Sequence, residues 1–198
     1  MADGKIIKSL SLVGMAASSS NFKNHDDECW TYLNSYKRLT KDWPDKHFIT
    51  HRQVFNLING ATKFNWKEIN SLKDEGCQLI SLHKIDTLNA DIYPLKEIIE
   101  KFNTTYFAST HAYVLAYALH LSTVKEKGKL RLGNFYYSPI NLFGWDMTNL
   151  SEYMYDRFGM EYWIGIAKGL GIEIWYPKGS GICETYTGYP YAMVETQA

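Results

Sequence analysis

The chain has 198 residues, 45% of them hydrophobic and 15% aromatic, which is the length and the material of one compact globular domain spanning 1–198. Lysine plus arginine equal aspartate plus glutamate at 21 each, so the overall field gives no reason to expect nucleic acid or an anionic membrane as a partner. No run approaches the roughly 20 apolar residues of a membrane span, and Cys29, Cys77 and Cys183 form no C-x-x-C pair, which argues against a zinc knuckle or a dense disulfide framework and for a reducing, cytoplasmic setting.

Ile6–Met15 reads as a first strand, its apolar stretch being too short and too rich in serine for a secretory leader. It runs into a small-residue turn, so that Leu10–Ser20 reads LSLVGMAASSS. Beyond it Asp26, Asp27 and Glu28 suit a loop or the first turn of a helix. Trp30–Tyr36 (WTYLNSY) and His47–Thr50 (HFIT) are short strand candidates, the second preceded by a turn at Trp43–Asp45. Trp66, Ile69 and Leu72 at helical spacing predict a helix over Asn65–Glu75, closed by Gly76 and followed by a strand at Cys77–Leu82 (CQLISL). Tyr93–Phe102 sets Leu95, Ile98, Ile99 and Phe102 on one helical face, whereas Thr110–Leu121 is apolar nearly all round and predicts a buried helix.

The second half continues the alternation. Lys125–Lys129 (KEKGK) reads as a solvated turn, and Lys129–Ser138 (KLRLGNFYYS) as a hairpin around Gly133-Asn134, an insertion within 122–139 suited to oligomer contacts or to covering a cleft. A strand at Ile140–Trp145 leads to a helix within Leu150–Leu170, stopped by Gly171, and then to a last strand at Ile172–Tyr176 (IEIWY) ended by Pro177. Residues after Tyr191 read as a loose tail. Strands alternating with helices predict a three-layer, Rossmann-like α/β fold with a mostly parallel sheet flanked by helices.

Two of these strands end alike, at Gly14–Ser20 and within Ile140–Met147 (INLFGWDM). In open α/β sheets ligands bind beyond the carboxyl ends of the strands, near the reversal of strand order, so the two endings point to one crevice. The small residues from Gly14 through Ala16, Ser18 and Ser19 let a phosphate or ribose approach backbone N–H groups and hydroxyls, and they equally suit an ordinary strand–helix turn. The loop is neither a P-loop nor G-x-G-x-x-G. Asp146 either accepts hydrogen bonds from a ribose or an exocyclic amine, or caps the next helix.

Tyr153, Arg157 and Glu161 recur every four residues and form one polar helical stripe, continued by Gly165 and Gly169 as a flat surface for close packing. Arg157 can hold a phosphate bidentately with Glu161 orienting it, or simply pair with Glu161 on a solvated face. Gly159 within the same helix predicts a bend or a close contact. His111, beside Ser109 and Thr110 at the start of the buried helix, is a candidate general acid or base or a donor to phosphate, and also a candidate capping or core residue. No metal is expected, because His47 and His51 lack a carboxylate partner at ligand spacing, and no G-x-S-x-G elbow supports a serine hydrolase.

The order LVGMAASSS, an aromatic strand with Asn34, a buried helix opened by Ser109-Thr110-His111, and LFGWDM resembles the bacterial sialyltransferase-like fold over about Leu10–Ile182. Tyr176–Ile182 (YPKGSGI) is similar to the Pro- and Ser-containing loop after that family's late strand. The chain also resembles an uncharacterised group of bacteriophage proteins through Glu152-Tyr153, Arg157, Glu161-Tyr162, Ile164-Gly165, Ala167, Gly169 and Gly171-Ile172. The resemblance implies a nucleotide cleft with Gly14, Ala16, Ser18 and Asn34 near the nucleotide, Ser109 and Thr110 at its phosphate or sugar, and Asp146 at the cleft floor. The chain departs from the family where Ala16-Ala17 replaces Gly-Pro, in its short length for a transferase with a lid, and in having no match to the catalytic histidine. Two functions follow as expectations. One is a phage protein, a homo-oligomer in the host cytoplasm, that sequesters a nucleotide-derived signal of host defence. The other is a glycosyltransferase-like enzyme using a nucleotide-sugar, or a hydrolase of the same ligand, with His111 or Asp146 near the reacting group and no resident cofactor.

Overall fold

The structure is a computed structural model that describes residues 4–23, 26–39, 43–51, 65–147, 153–178 and 180–183, without the side chains of 153–155. In chain order its elements are β1 (Ile6–Val13), β2 (Glu28–Tyr32), β3 (Lys46–Ile49), α1 (Trp66–Asp74), β4 (Gln78–Ser81), β5 (Asp91–Ile92), α2 (Leu95–Phe102), α3 (Thr110–Ser122), β6 (Thr123–Glu126), β7 (Lys129–Leu132), β8 (Phe135–Phe143), α4 (Tyr153–Gly169) and β9 (Ile174–Trp175). Single 3-10 turns at Ala17–Asn21 and Ser35–Arg38 follow β1 and β2.

Seven strands form one sheet in the order β5-β4-β3-β2-β1-β8-β9, and every pairing between them is parallel. Parallel neighbours need crossovers, and helices on both faces make this the three-layer, Rossmann-like arrangement that the alternation predicts. Period-2 alternation divides the apolar residues between the faces. Leu10, Leu12, Trp30, Tyr32, Phe48, Ile80, Ile140 and Leu142 pack with α2, α3 and α4, while Ile49 and Leu79 turn the other way to meet Ile69 and Leu72 of α1. α3 is buried on most of its circumference because it lies between the sheet and α4. α1 and α4 each end in a Schellman motif, with Cys77 N–H bonding the Leu72 carbonyl and Ile172 N–H bonding that of Ala167, and with Gly76 and Gly171 at positive φ as the sequence predicts.

Several expected boundaries move. β2 stops at Tyr32, not Tyr36, because Leu33 turns into the left-handed region and the Ser35 hydroxyl accepts from Tyr32 N–H, starting a 3-10 turn. Asp26 and Asp27 lie in the loop before β2, one of the two settings expected of them. They lie across the sheet face opposite α3, where Asp26 accepts from Ser11 and from Asn141 at 2.9 Å, and Asp27 from the backbone and hydroxyl of Ser9. The hairpin of 122–139 pairs β6 with β7 and turns at Lys127-Gly128, both at positive φ as a two-residue type I′ loop requires, not at Gly133-Asn134. β8 accordingly begins at Phe135, five residues before the expected Ile140, and the last strand shrinks to Ile174–Trp175. The tail after Tyr191 and the predicted start of the last helix at Leu150 lie outside the described residues.

At the amino edge of the sheet one carboxylate ties four strands together. Glu28 accepts from Lys8 at 3.2 Å, Lys46 at 3.0 Å, the Trp30 indole at 3.0 Å and the Tyr137 hydroxyl at 2.9 Å. Burial pushes its pKa up, but Lys46, Trp30 and Tyr137 together outweigh burial and hold it at about 2. The candidate site lies at the opposite edge.

Candidate functional site

β1 has β2 on one side and β8 on the other, so chain order reverses there, and the carboxyl ends of these three strands bring the loops after Val13, Tyr32 and Phe143 together. The two glycine-bearing loops are locked directly to each other. Gly14 N–H bonds the Phe143 carbonyl at 2.7 Å, Ala16 N–H bonds that of Gly144 at 3.1 Å, and the Ser18 hydroxyl accepts from Gly144 N–H at 2.7 Å. A β-carbon at Gly14 would collide with the Tyr32 hydroxyl, the Gly144 carbonyl and the Trp145 ring, and one at Gly144 would lie 2.7 Å from the Gly14 backbone. Both positions require glycine for close approach of the two strand ends.

Asp146 completes the lock. One carboxylate oxygen accepts from Ser18 N–H at 2.9 Å and the other from the Ser18 hydroxyl, while its backbone carbonyl accepts from Gly181 at 2.7 Å. Ser19 is buried against Gly144 and donates its N–H to the Ala16 carbonyl. The structure thus brings Gly14, Ala16, Ser18, Ser19 and Asp146 into one constellation, with bonds among themselves.

Beneath that lock lies a buried polar group that pattern reading reaches only in part. His111 Nε2 meets the Tyr32 hydroxyl at 2.7 Å, and the His111 ring stands edge-on to Trp145 with centroids 4.7 Å apart. Neither His111 Nδ1 nor the Trp145 indole nitrogen has a hydrogen-bond partner among the described residues, and both are buried. Burial drives the His111 pKa down to about 3, so the ring is neutral at physiological pH. Sequence pattern does not single out Tyr32, the last residue of β2, or Trp145, which follows β8 and Gly144.

The N-terminus of α3 stands at the same edge. Ser109 caps it by accepting from Ala112 N–H at 3.3 Å, and Thr110 meets Thr50, just past β3, hydroxyl to hydroxyl at 2.8 Å. Asn34 follows β2 at this edge and opens the 3-10 turn, its side chain making no cap bond. Tyr153 is the first residue of α4, and its side chain lies outside the described part. Farther along α4, Arg157 Nε donates to Glu161 at 2.7 Å, and the same Glu161 oxygen accepts from Cys183 N–H at 2.6 Å. The turn at 180–183 therefore links Glu161 to the Asp146 backbone. Gly159 makes the close contact expected of it, since a β-carbon there would sit 2.7 Å from that of Ala108.

Among the described residues, no group of three His, Cys, Asp or Glu is placed to hold a metal ion, and no helix is long and apolar enough to cross a membrane. A separate hollow of about 410 Å³, open to solvent, lies after β4 and is lined by His83, Lys84, Ile85, Asp86, Leu88, Ala90 and Ile92; it contains none of the residues predicted from sequence. No protein-family model, no curated protein and no solved structure matches the chain.

Proposed function

We propose that the protein binds a nucleotide or a nucleotide-derived small molecule at the carboxyl edge of the sheet and holds it without turning it over. The observation that carries this reading is the coincidence, at one point of strand-order reversal, of a capped helix N-terminus with two buried polar atoms that have no partner among the described residues, His111 Nδ1 and the Trp145 indole nitrogen. The α3 terminus, with the Thr110 and Thr50 hydroxyls beside it, suits a phosphate, because helix N-termini present N–H groups and the positive end of the dipole. A buried polar atom left unpaired costs about 1–3 kcal/mol, which a ligand that pairs with these two atoms would recover.

Binding is favoured over the glycosyltransferase and hydrolase readings by the state of the two candidate acid–base groups. His111 is buried, neutral and bonded to Tyr32, and both carboxylate oxygens of Asp146 are engaged by Ser18. Neither is poised to exchange a proton with a substrate. As the biological use we infer sequestration of a nucleotide-derived signal of host defence, a reading that rests on the resemblance drawn from sequence alone.

A thermal-shift panel of mononucleotides, nucleotide-sugars, cyclic dinucleotides and ADP-ribose derivatives, followed by chromatography of the ligand released on denaturation, tests the proposal. A stabilising compound recovered intact is the expected result. Recovery as a product makes the protein an enzyme, and no stabilisation by any member contradicts a nucleotide site.

A further inference from the structure

The two ring nitrogens of His111 stand in different settings. Nε2, at the far end of the ring, meets the Tyr32 hydroxyl at 2.7 Å. Nδ1, joined to Cγ and so the nearer of the two to its own backbone, has no partner among the described residues. The residue is 7% exposed and burial keeps its ring neutral, so one nitrogen carries the hydrogen and the other a lone pair. The bond to Tyr32 sets which is which. A phenol is a stronger acid than a neutral imidazole, and an imidazole nitrogen is a stronger base than a phenol oxygen. Tyr32 therefore donates to Nε2, and the hydrogen of the ring falls to Nδ1.

This donor stands where the backbone already offers donors. At the start of α3 the Ser109 hydroxyl accepts from Ala112 N–H and the Ser109 carbonyl from Tyr113 N–H, each at 3.3 Å. The N–H groups of Thr110 and His111, the first two residues of the helix, bond nothing among the described residues. The Trp145 indole, whose ring lies against His111, can only donate, and it too lacks a partner among them. On the loop after β1, the Arg38 guanidinium donates to the Met15 carbonyl at 3.0 Å and brings positive charge to the same edge of the sheet.

We propose that Tyr32 is a positioning residue that fixes His111 as an Nδ1–H donor, and that this donor and the two backbone N–H groups of α3 take the phosphoryl group of the ligand. The inference rests on the nucleotide reading for the remainder of that ligand. An ionised phosphoryl oxygen accepts and does not donate, so it is the part of a nucleotide that suits a set of donors, and the positive end of the α3 dipole favours its charge. The exocyclic amine of a base would meet donors with donors. In the other tautomer the lone pair of Nδ1 would face the anion and repel it, which is why the hydroxyl of Tyr32 matters although it need not touch the ligand.

Long-range proton–nitrogen correlation spectra of the isotope-labelled full chain read the tautomer, and titration with inorganic phosphate, against sodium chloride at matched ionic strength, reads the subsite. The free protein is expected to carry the hydrogen on Nδ1, and phosphate to shift the His111 Nδ1–H and the amides of Thr110 and His111 together. Tyr32→Phe keeps the ring and loses the hydroxyl; it is expected to move the His111 hydrogen toward Nε2 and to weaken phosphate about tenfold. His111→Asn sets an amide nitrogen in the place of Nδ1 and is expected to bind phosphate about tenfold more tightly than His111→Gln, whose amide reaches the place of Nε2 instead. Hydrogen on Nε2 in the free wild type overturns the proposal, as does phosphate that leaves Thr110 and His111 unmoved, or equal binding by the Asn and Gln variants. Phosphate bound there, with no nucleotide stabilising the protein, would uphold this subsite and remove the nucleotide reading.

Discussion

A methyl group at Gly14 collides with the Gly144 carbonyl and the Tyr32 hydroxyl, and backbone on one side leaves it little room to relax. Gly14→Ala is therefore expected to cost about 1–3 kcal/mol, read as a lower urea midpoint at unchanged m-value. Ser18→Ala removes the donor to Asp146 and the acceptor for Gly144 N–H in one step. Its expected cost is about 1–3 kcal/mol by the same measurement, and a loss below a few tenths would mean that water replaces the hydroxyl on both partners. The buried histidines set a pH dependence. His47 and His111 are each held down at about 3 by burial, against an ordinary value of 6.5, so the unfolded chain binds more protons between those limits. Their contribution is complete above about pH 6.5 and is lost as pH falls toward 3. Glu28, held at about 2 against 4.5, acts in the same direction, its contribution being lost as pH falls from about 4.5 toward 2. Urea midpoints should hence fall steadily from about pH 6.5 downward; a midpoint that rises on acidification would contradict the burial of these rings.

Among the elements, helices were more legible than strand ends. Trp66, Ile69 and Leu72 gave α1, and the uniform apolarity of Thr110–Leu121 gave a buried α3, because a 3.6-residue repeat or its saturation is a local signal. The boundary of β2 was not legible, because WTYLNSY is β-prone throughout and the chain leaves the sheet only where Leu33 takes a positive φ. The hairpin was misplaced for a similar reason. Gly133-Asn134 and Lys127-Gly128 both suit a turn, and only strand pairing decides between them. That decision can be checked. Gly128→Ala, at φ +78°, is expected to cost about 1 kcal/mol, whereas Gly133→Ala, whose β-carbon meets only ordinary contacts at 3.5 Å and beyond, is expected to be neutral within about 0.5 kcal/mol. Ser109→Ala should cost about 1 kcal/mol through the lost cap of α3. Equal effects at Gly128 and Gly133 would return the turn to the position expected from sequence.

Across the whole molecule the parallel sheet separates two tasks. The amino edge is closed by Glu28 and its four donors, and the carboxyl edge gathers the small-residue loops, the α3 terminus and the His111–Trp145 pair. The sequence indicated the second edge through Gly14–Ser20 and Ile140–Met147, and the strand order brings those segments together at the reversal. It did not indicate that Ser18 and Asp146 bond each other, nor that Tyr32 and Trp145 surround His111, since both depend on contacts between residues more than 30 positions apart. The central claim is that a nucleotide-derived ligand sits at this edge, over α3. Hydrogen–deuterium exchange with and without a mixture of mononucleotides and cyclic dinucleotides addresses it most directly. Slowed exchange confined to 14–18, 33–35, 109–113 and 144–147 is the predicted result. Slowed exchange at the hollow after β4 or at the amino edge instead, or no change in any peptide, would contradict it.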